Sequence, residues 1–227
     1  MRNIQIYIAF FVTTLFATGC AKQFTTASYE EVAYHHRTLA VLPFEMIFTG
    51  NLPRNLTQEM VEEIEEYESV AFQVSLFNML HRPSNLGRNP MWVTIQHYDE
   101  TNRRLLDEGI SIRESWFMPT EELARILGVD AVIKTRIEKT RFMSDMASFG
   151  IAVMADILNE FPGALPIPGN QTGRVNLTCS ILDGNEGFPV WVYNDIEPAY
   201  WNLPAEQAID GINRRAARNF PYRERYN

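Results

Sequence analysis

The segment from Thr38 to Phe44, TLAVLPF, is apolar at nearly every position and is cut by Pro43. A short continuous apolar run bounded by a breaker reads as a strand buried on both faces, since a half-exposed strand would alternate. Such a strand needs one layer above it and another below. The chain has the material for this: of its 227 residues 46% are apolar, 21% charged and 12% aromatic. Those proportions suit a globular protein and exclude a disordered, collagen-like or coiled-coil chain.

The remaining elements follow from periodicity and punctuation. Asn55 can cap a long helix in which Leu56, Met60, Ile64, Tyr67, Ala71, Val74 and Phe77 recur every three or four residues, ending at His81-Arg82-Pro83. Glu59, Glu62, Glu63, Glu65, Glu66 and Glu68 form its opposite face, which reads as a solvated surface. Met91 to His97 has strand composition, and a short helix follows at about 99–108. Pro119 opens another helix, with Leu123, Ala124, Ile126 and Leu127 facing inward and Gly128 closing it. Ala131 to Ile137 is the next strand. Two more, at about 172–182 and 188–194, flank the turn Asp183-Gly184-Asn185-Glu186-Gly187. Residues 204–219 make a closing helix. The expectation is a single α/β domain, 37–227, with a mixed sheet of about five strands flanked by helices on both faces.

Ahead of that domain, Arg2 and the apolar stretch Ile4 to Phe16 have the form of a secretory signal, too short to span a bilayer as a helix. Ala17-Thr18-Gly19-Cys20 then resembles the lipobox of bacterial lipoproteins, with Ala17 where Leu is commoner. That resemblance implies removal of residues 1–19 and acylation of Cys20, hence partnership with a membrane through acyl chains, which hold firmly when two or more are present. The sequence after the anchor, Ala21-Lys22-Gln23-Phe24, lacks the Asp that often retains such proteins at the inner membrane. The expected location is the periplasmic face of the outer membrane. Residues 20–36 show no period and read as a lipidated tether.

Three stretches together resemble a family of envelope lipoproteins: the opening strand Arg37 to Phe44, the junction Leu123 to Ile133 with its Leu-Gly-x-Asp-Ala motif, and the hairpin Leu177 to Trp191. Similar features occur in the N-terminal domain of the Tol-system propeller protein, in the curli secretion channel lipoprotein and in penicillin-binding-protein activator lipoproteins. The resemblance implies a fold more than a function, since its members include channels, activators and assembly factors. The junction also makes sense by itself, with Gly128 ending a helix and Asp130 able to bind backbone amides, both structural roles. The departure from the family pattern is the apolar insertion at 143–170. It is open to three readings: a buried helix, a partner or oligomer surface, or membrane contact.

Catalytic signatures are missing. No Gly-x-Ser-x-Gly, phosphate loop or His-Glu-x-x-His is present, His35 and His36 have no ligand at metal spacing, and Cys179 has no His-based motif beside it. No catalytic residue, metal or cofactor is therefore nominated. A net charge of −8 disfavours nucleic acid as a partner. The expected function is that of a non-enzymatic, lipid-anchored accessory protein binding an unidentified envelope protein in assembly, secretion or wall synthesis. The alternatives are an oligomeric pore component, with homo-oligomers, and an envelope hydrolase. Candidate partner-binding residues are Phe149, Ile151, Met154, Ile157 and Leu158 of the insertion and the aromatics Trp191, Tyr200 and Trp201, joined by Tyr193.

Overall fold

The computed structural model describes residues 23–50, 57–82, 91–141, 171–200 and 205–222. The apolar run forms β2 (Thr38–Val41), and its side chains divide as a doubly buried strand demands. Leu39 and Val41 enter a large core cluster, while Ala40 and Leu42 enter a smaller one on the opposite face with Leu105, Leu123, Ala124, Leu127 and Val132.

The other elements are β1 (Gln23–Thr25), α1 (Tyr29–Ala33), β3 (Glu45–Gly50), α2 (Gln58–His81), β4 (Thr94–Gln96), α3 (Tyr98–Asp107), α4 (Ile112–Phe117) and α5 (Thr120–Leu127). They are followed by β5 (Ala131–Arg141), β6 (Gln171–Asp183), β7 (Pro189–Tyr200) and α6 (Ala205–Arg218). The strands make one mixed sheet in the order β1-β7-β6-β5-β2-β4, with β3 joined to the far half of β5. Pairing is parallel for β2–β4, β2–β5 and β3–β5 and antiparallel for β5–β6, β6–β7 and β1–β7. The α/β class is as expected. Among the described residues the sheet has seven strands, against the expected five or so, because β1 and β3 have sequences without a strand period and gain their conformation by pairing with β7 and β5.

Helices cover the two faces unequally. On one side α2 and α6 contribute Phe72, Leu76, Ile209 and Ile212 to the large cluster. On the other, among the described residues, α3 and α5 cover the β2–β5 half, and Arg136, Asn194 and Ile196 are exposed further along the same face. α5 ends as anticipated at Gly128, whose φ of 62° and ψ of 45° are left-handed. Asp130 then accepts the amides of Arg37 and Thr38 through Oδ2 at 2.8 and 2.9 Å, so the junction motif fastens β2 at the start of β5. Gly184 of the β6–β7 turn sits so close that an added Cβ would lie 2.6 Å from the Asp130 carbonyl oxygen and 2.7 Å from Ala124 Cβ. Two of the recognisable sequence stretches thus pack against each other.

The long helix lies in a different rotation from the one its apolar spacing predicts. Its cap is Thr57, whose side chain accepts from Met60 N at 3.3 Å, not Asn55, which lies outside the described residues. The buried stripe is Val61, Glu65, Ser69, Phe72, Gln73, Leu76, Phe77, Met79 and Leu80; of the expected inward residues Phe77 is buried, whereas Met60 and Tyr67 are exposed. Glu65, placed by sequence on the solvated face, is buried: it accepts from Phe48 N at 3.1 Å and pairs with Arg113 at 2.9 Å. Gln73 donates to Val41 O at 2.8 Å. Buried polar groups with partners cost little, so they can lie on the inward face and shift it by one position. Replacing Glu65 with alanine is expected to destabilise the fold by about 2 kcal/mol, since it strands Phe48 N–H and the Arg113 guanidinium. Glu63→Ala, on the exposed face, should fall within about 0.5 kcal/mol of the parent in urea unfolding.

Candidate functional site

Residues 23–36 are part of the folded body and not a tether. β1 pairs with the edge of β7 in the register Gln23↔Tyr193, Phe24↔Val192 and Thr25↔Trp191, and Thr26 N continues the ladder to Val190 O at 3.2 Å. α1 then turns the chain over the sheet edge and buries Ala33. A composition without period concealed this, because an edge strand of three residues needs no apolar alternation of its own.

Three residues later comes a side-chain relay that the sequence does not announce. His36, Asp183 and Tyr222 are all buried, and they come from the start, the β6–β7 turn and the end of the described chain. His36 Nδ1 lies 2.5 Å from the Tyr222 hydroxyl and Nε2 lies 2.9 Å from Asp183 Oδ1. The directions follow from chemistry. Burial would by itself raise Asp183, but the hydrogen bond from His36 and the amides of Glu186 and Asn185 hold its carboxyl below the ordinary aspartate range. It is therefore an acceptor, and His36 Nε2–H donates to it. Burial, reinforced by Tyr29 and Asp183, pushes the Tyr222 phenol far above its ordinary value, so its O–H is retained and donates to Nδ1. Asp183 Oδ2 accepts from Asn185 N at 2.9 Å and Glu186 N at 2.7 Å.

Both ends of the relay are thus used within the fold. It clamps the arm, the hairpin turn and the C-terminal segment together, and Trp92 N adds a bond to Tyr222 O at 3.3 Å. The adjacent His35-His36 pair is its only trace in the sequence; no spacing rule links residue 36 to 183 and 222. Among the described residues no group of three His, Cys, Asp or Glu side chains is placed to hold a metal ion.

Beside the clamp a cavity of about 720 Å³ opens between β1, α1 and Trp92, bordered by Gln23, Tyr34, Arg37 and Pro221. Arg37 lies over the Tyr34 ring, 5.7 Å from its centroid. On the opposite face of the sheet, Phe24 is 57% and Ile196 63% exposed.

The candidate partner residues separate. Trp191 and Tyr193 are core: Trp191 is fully buried, stacks on Tyr193 with centroids 6.0 Å apart and meets Phe220 edge-on. They lie on the covered face, at alternate positions of a strand whose other face carries Val192, Asn194 and Ile196. Burial pushes the Tyr193 phenol up to about 12, helped by Asp195. Cys20, Phe149, Ile151, Met154, Ile157, Leu158 and Trp201 lie outside the described residues, as does the Tyr200 side chain at the end of β7. Cys179 is a free, buried thiol that burial pushes up to about 11, with Thr135 Oγ1 donating to its sulfur at 3.4 Å. A thiol that stays protonated at neutral pH is a poor nucleophile.

What these observations define is an α/β body on one mixed sheet, with its N-terminal strand stapled to the sheet's edge. No family model matches the chain, and no curated protein matches it. Solved structures do. The chain is similar to lipoprotein GNA1162 from Neisseria meningitidis at 12% identity, over 81% of this chain and 99% of that one, with a TM-score of 0.36. It is also similar to the C-terminal domain of LpoB from Salmonella enterica, at 12% identity over 76% and 96% of the two chains, TM-score 0.35. The PelC dodecamer from Paraburkholderia phytofirmans aligns at 10% identity over 86% and 92%, TM-score 0.40. At such identities and superpositions, function is argued from this chain's own residues.

Proposed function

We propose that this protein is a lipid-anchored accessory protein of the bacterial cell envelope that works by binding an envelope protein, without catalysis of its own. The observation that carries the reading is the lipobox-like sequence ending at Cys20, three residues ahead of an edge strand of the main sheet. Acylation there ties the folded body directly to a membrane, and the residues following Cys20 favour the periplasmic face of the outer membrane. The polar side chains that could suggest chemistry, His36, Asp183, Tyr222 and Glu65, are engaged in structural hydrogen bonds. Partner contact falls to exposed apolar side chains, of which Leu106 and Phe117 on α3 and α4 are 75% and 73% exposed.

The test has two parts. The intact mass of the mature protein should show residues 1–19 removed and acyl groups on Cys20, and Cys20→Ala should abolish both. Crosslinking in intact cells should then recover one specific envelope protein, less of it from a Leu106→Ser, Phe117→Ser variant. An unacylated N-terminus, or no partner, overturns the proposal. So does a large ring in mild detergent, which would favour the pore reading instead.

A further inference from the structure

The anchor and the fold together leave little freedom for how the body can sit on its membrane. With Cys20 acylated, Gln23 is three residue steps from the lipid attachment, a reach of about 10 Å at full extension. Gln23 is already hydrogen-bonded into the sheet, so the bilayer surface must come to the β1–β7 edge. The antiparallel register also sets a direction: stepping back from Phe24 towards the anchor follows β7 onward from Val192 towards Ile196. Phe24 and Val192 are paired and share a face, and Ile196 lies on that same face of β7. Phe24 and Ile196 are the large apolar side chains left exposed there, at 57% and 63%.

We propose that the β1–β7 edge rests on the lipid surface, with Phe24 and Ile196 inserted among the headgroups, so that the sheet stands on the membrane and its opposite edge points into the periplasm. This rests on acylation of Cys20. The occupant is lipid because the attachment point brings lipid to within the reach of three residues. The charge on the strand agrees, since Asp195 and Glu197, which would be repelled by phosphate, bond to Arg215 on the other face at 2.5 and 2.6 Å. With a net charge of −8 the chain gains nothing from bulk attraction to anionic lipid, which leaves apolar contact as the favourable term. Strand spacing puts β2 about 19 Å from β1, so α3, which packs on β2 through Leu105, lies well away from the bilayer.

The test uses the full acylated chain in phosphatidylethanolamine vesicles containing a nitroxide-labelled lipid. A small environment-sensitive fluorophore is attached at Phe24→Cys, Ile196→Cys or Leu106→Cys, three exposed positions whose replacement should leave the melting temperature unchanged; Cys179 is buried and does not compete. Labels at 24 and 196 should shift to the blue and be quenched several-fold more by nitroxide lipid than the label at 106. Equal quenching at all three positions on a protein whose mass confirms acylation overturns the orientation and leaves the proposed function standing. A blue shift at 24 and 196 without lipid quenching also overturns it, assigning the face to a second copy of the chain. A mass without acyl groups overturns both proposals.

Discussion

Replacing His36 with alanine is expected to lower the stability of this protein by about 3–5 kcal/mol, a large part of what a domain of this size possesses. The substitution removes two hydrogen bonds at once, one of them to a carboxylate, and leaves the buried Tyr222 hydroxyl and Asp183 Oδ1 without their partner. Because the relay joins segments 147 and 186 residues apart in the chain, its loss should also loosen the N-terminal arm and the C-terminal segment together. In urea the midpoint should fall with little change in slope, and the melting temperature should drop by on the order of 10 °C. Tyr222→Phe, which removes only the hydroxyl, should cost about 1 kcal/mol. A His36→Ala variant as stable as the parent would show that the clamp contributes nothing. Acid provides a second readout. Asp183 is depressed in the folded state, so its contribution is complete above the ordinary aspartate range and is lost as pH falls through its lower, native value. Asp183→Asn should therefore flatten the acid limb of the stability profile below that range.

Trp191→Ala is the second large effect, expected at about 4 kcal/mol through the cavity left by a fully buried indole. It separates two readings of the same residue. As an exposed partner anchor Trp191 would be dispensable for folding; as the core residue seen here, its loss shifts the unfolding midpoint and collapses the near-ultraviolet aromatic signal of the Trp191–Tyr193 stack. Trp191→Phe should cost less, about 1.5 kcal/mol, because among the described residues the indole N–H has no hydrogen-bond partner to lose. A folded Trp191→Ala protein that lacks only its partner would overturn the core assignment.

The contrast between these residues shows where sequence reasoning reached and where it stopped. Gly128 and Asp130 were readable because a helix end needs a left-handed residue and a strand start needs its amides satisfied, both within a few residues. α4 is too short to show an apolar period, and its one local signal is the capping box of Ser111 and Glu114 at its start. The rotation of α2 departs from its apolar spacing for a different reason. Apolar spacing assumes that every inward position is apolar, and Glu65, Ser69 and Gln73 are inward. The partners of Glu65 and Gln73, namely Phe48 N, Arg113 and Val41 O, come from other elements, so nothing local could reveal them.

The same division holds for the functional surface. The sequence by itself determined the α/β class, the doubly buried strand, and the junction and the hairpin as local motifs, since each depends on short-range pattern or local backbone geometry. Only the tertiary structure decided that residues 23–36 join the body, that Trp191 is core, and that His36 meets Asp183 and Tyr222. Strand order and side-chain burial are set by contacts between distant segments, and the energy of those contacts appears only once the segments have been brought together.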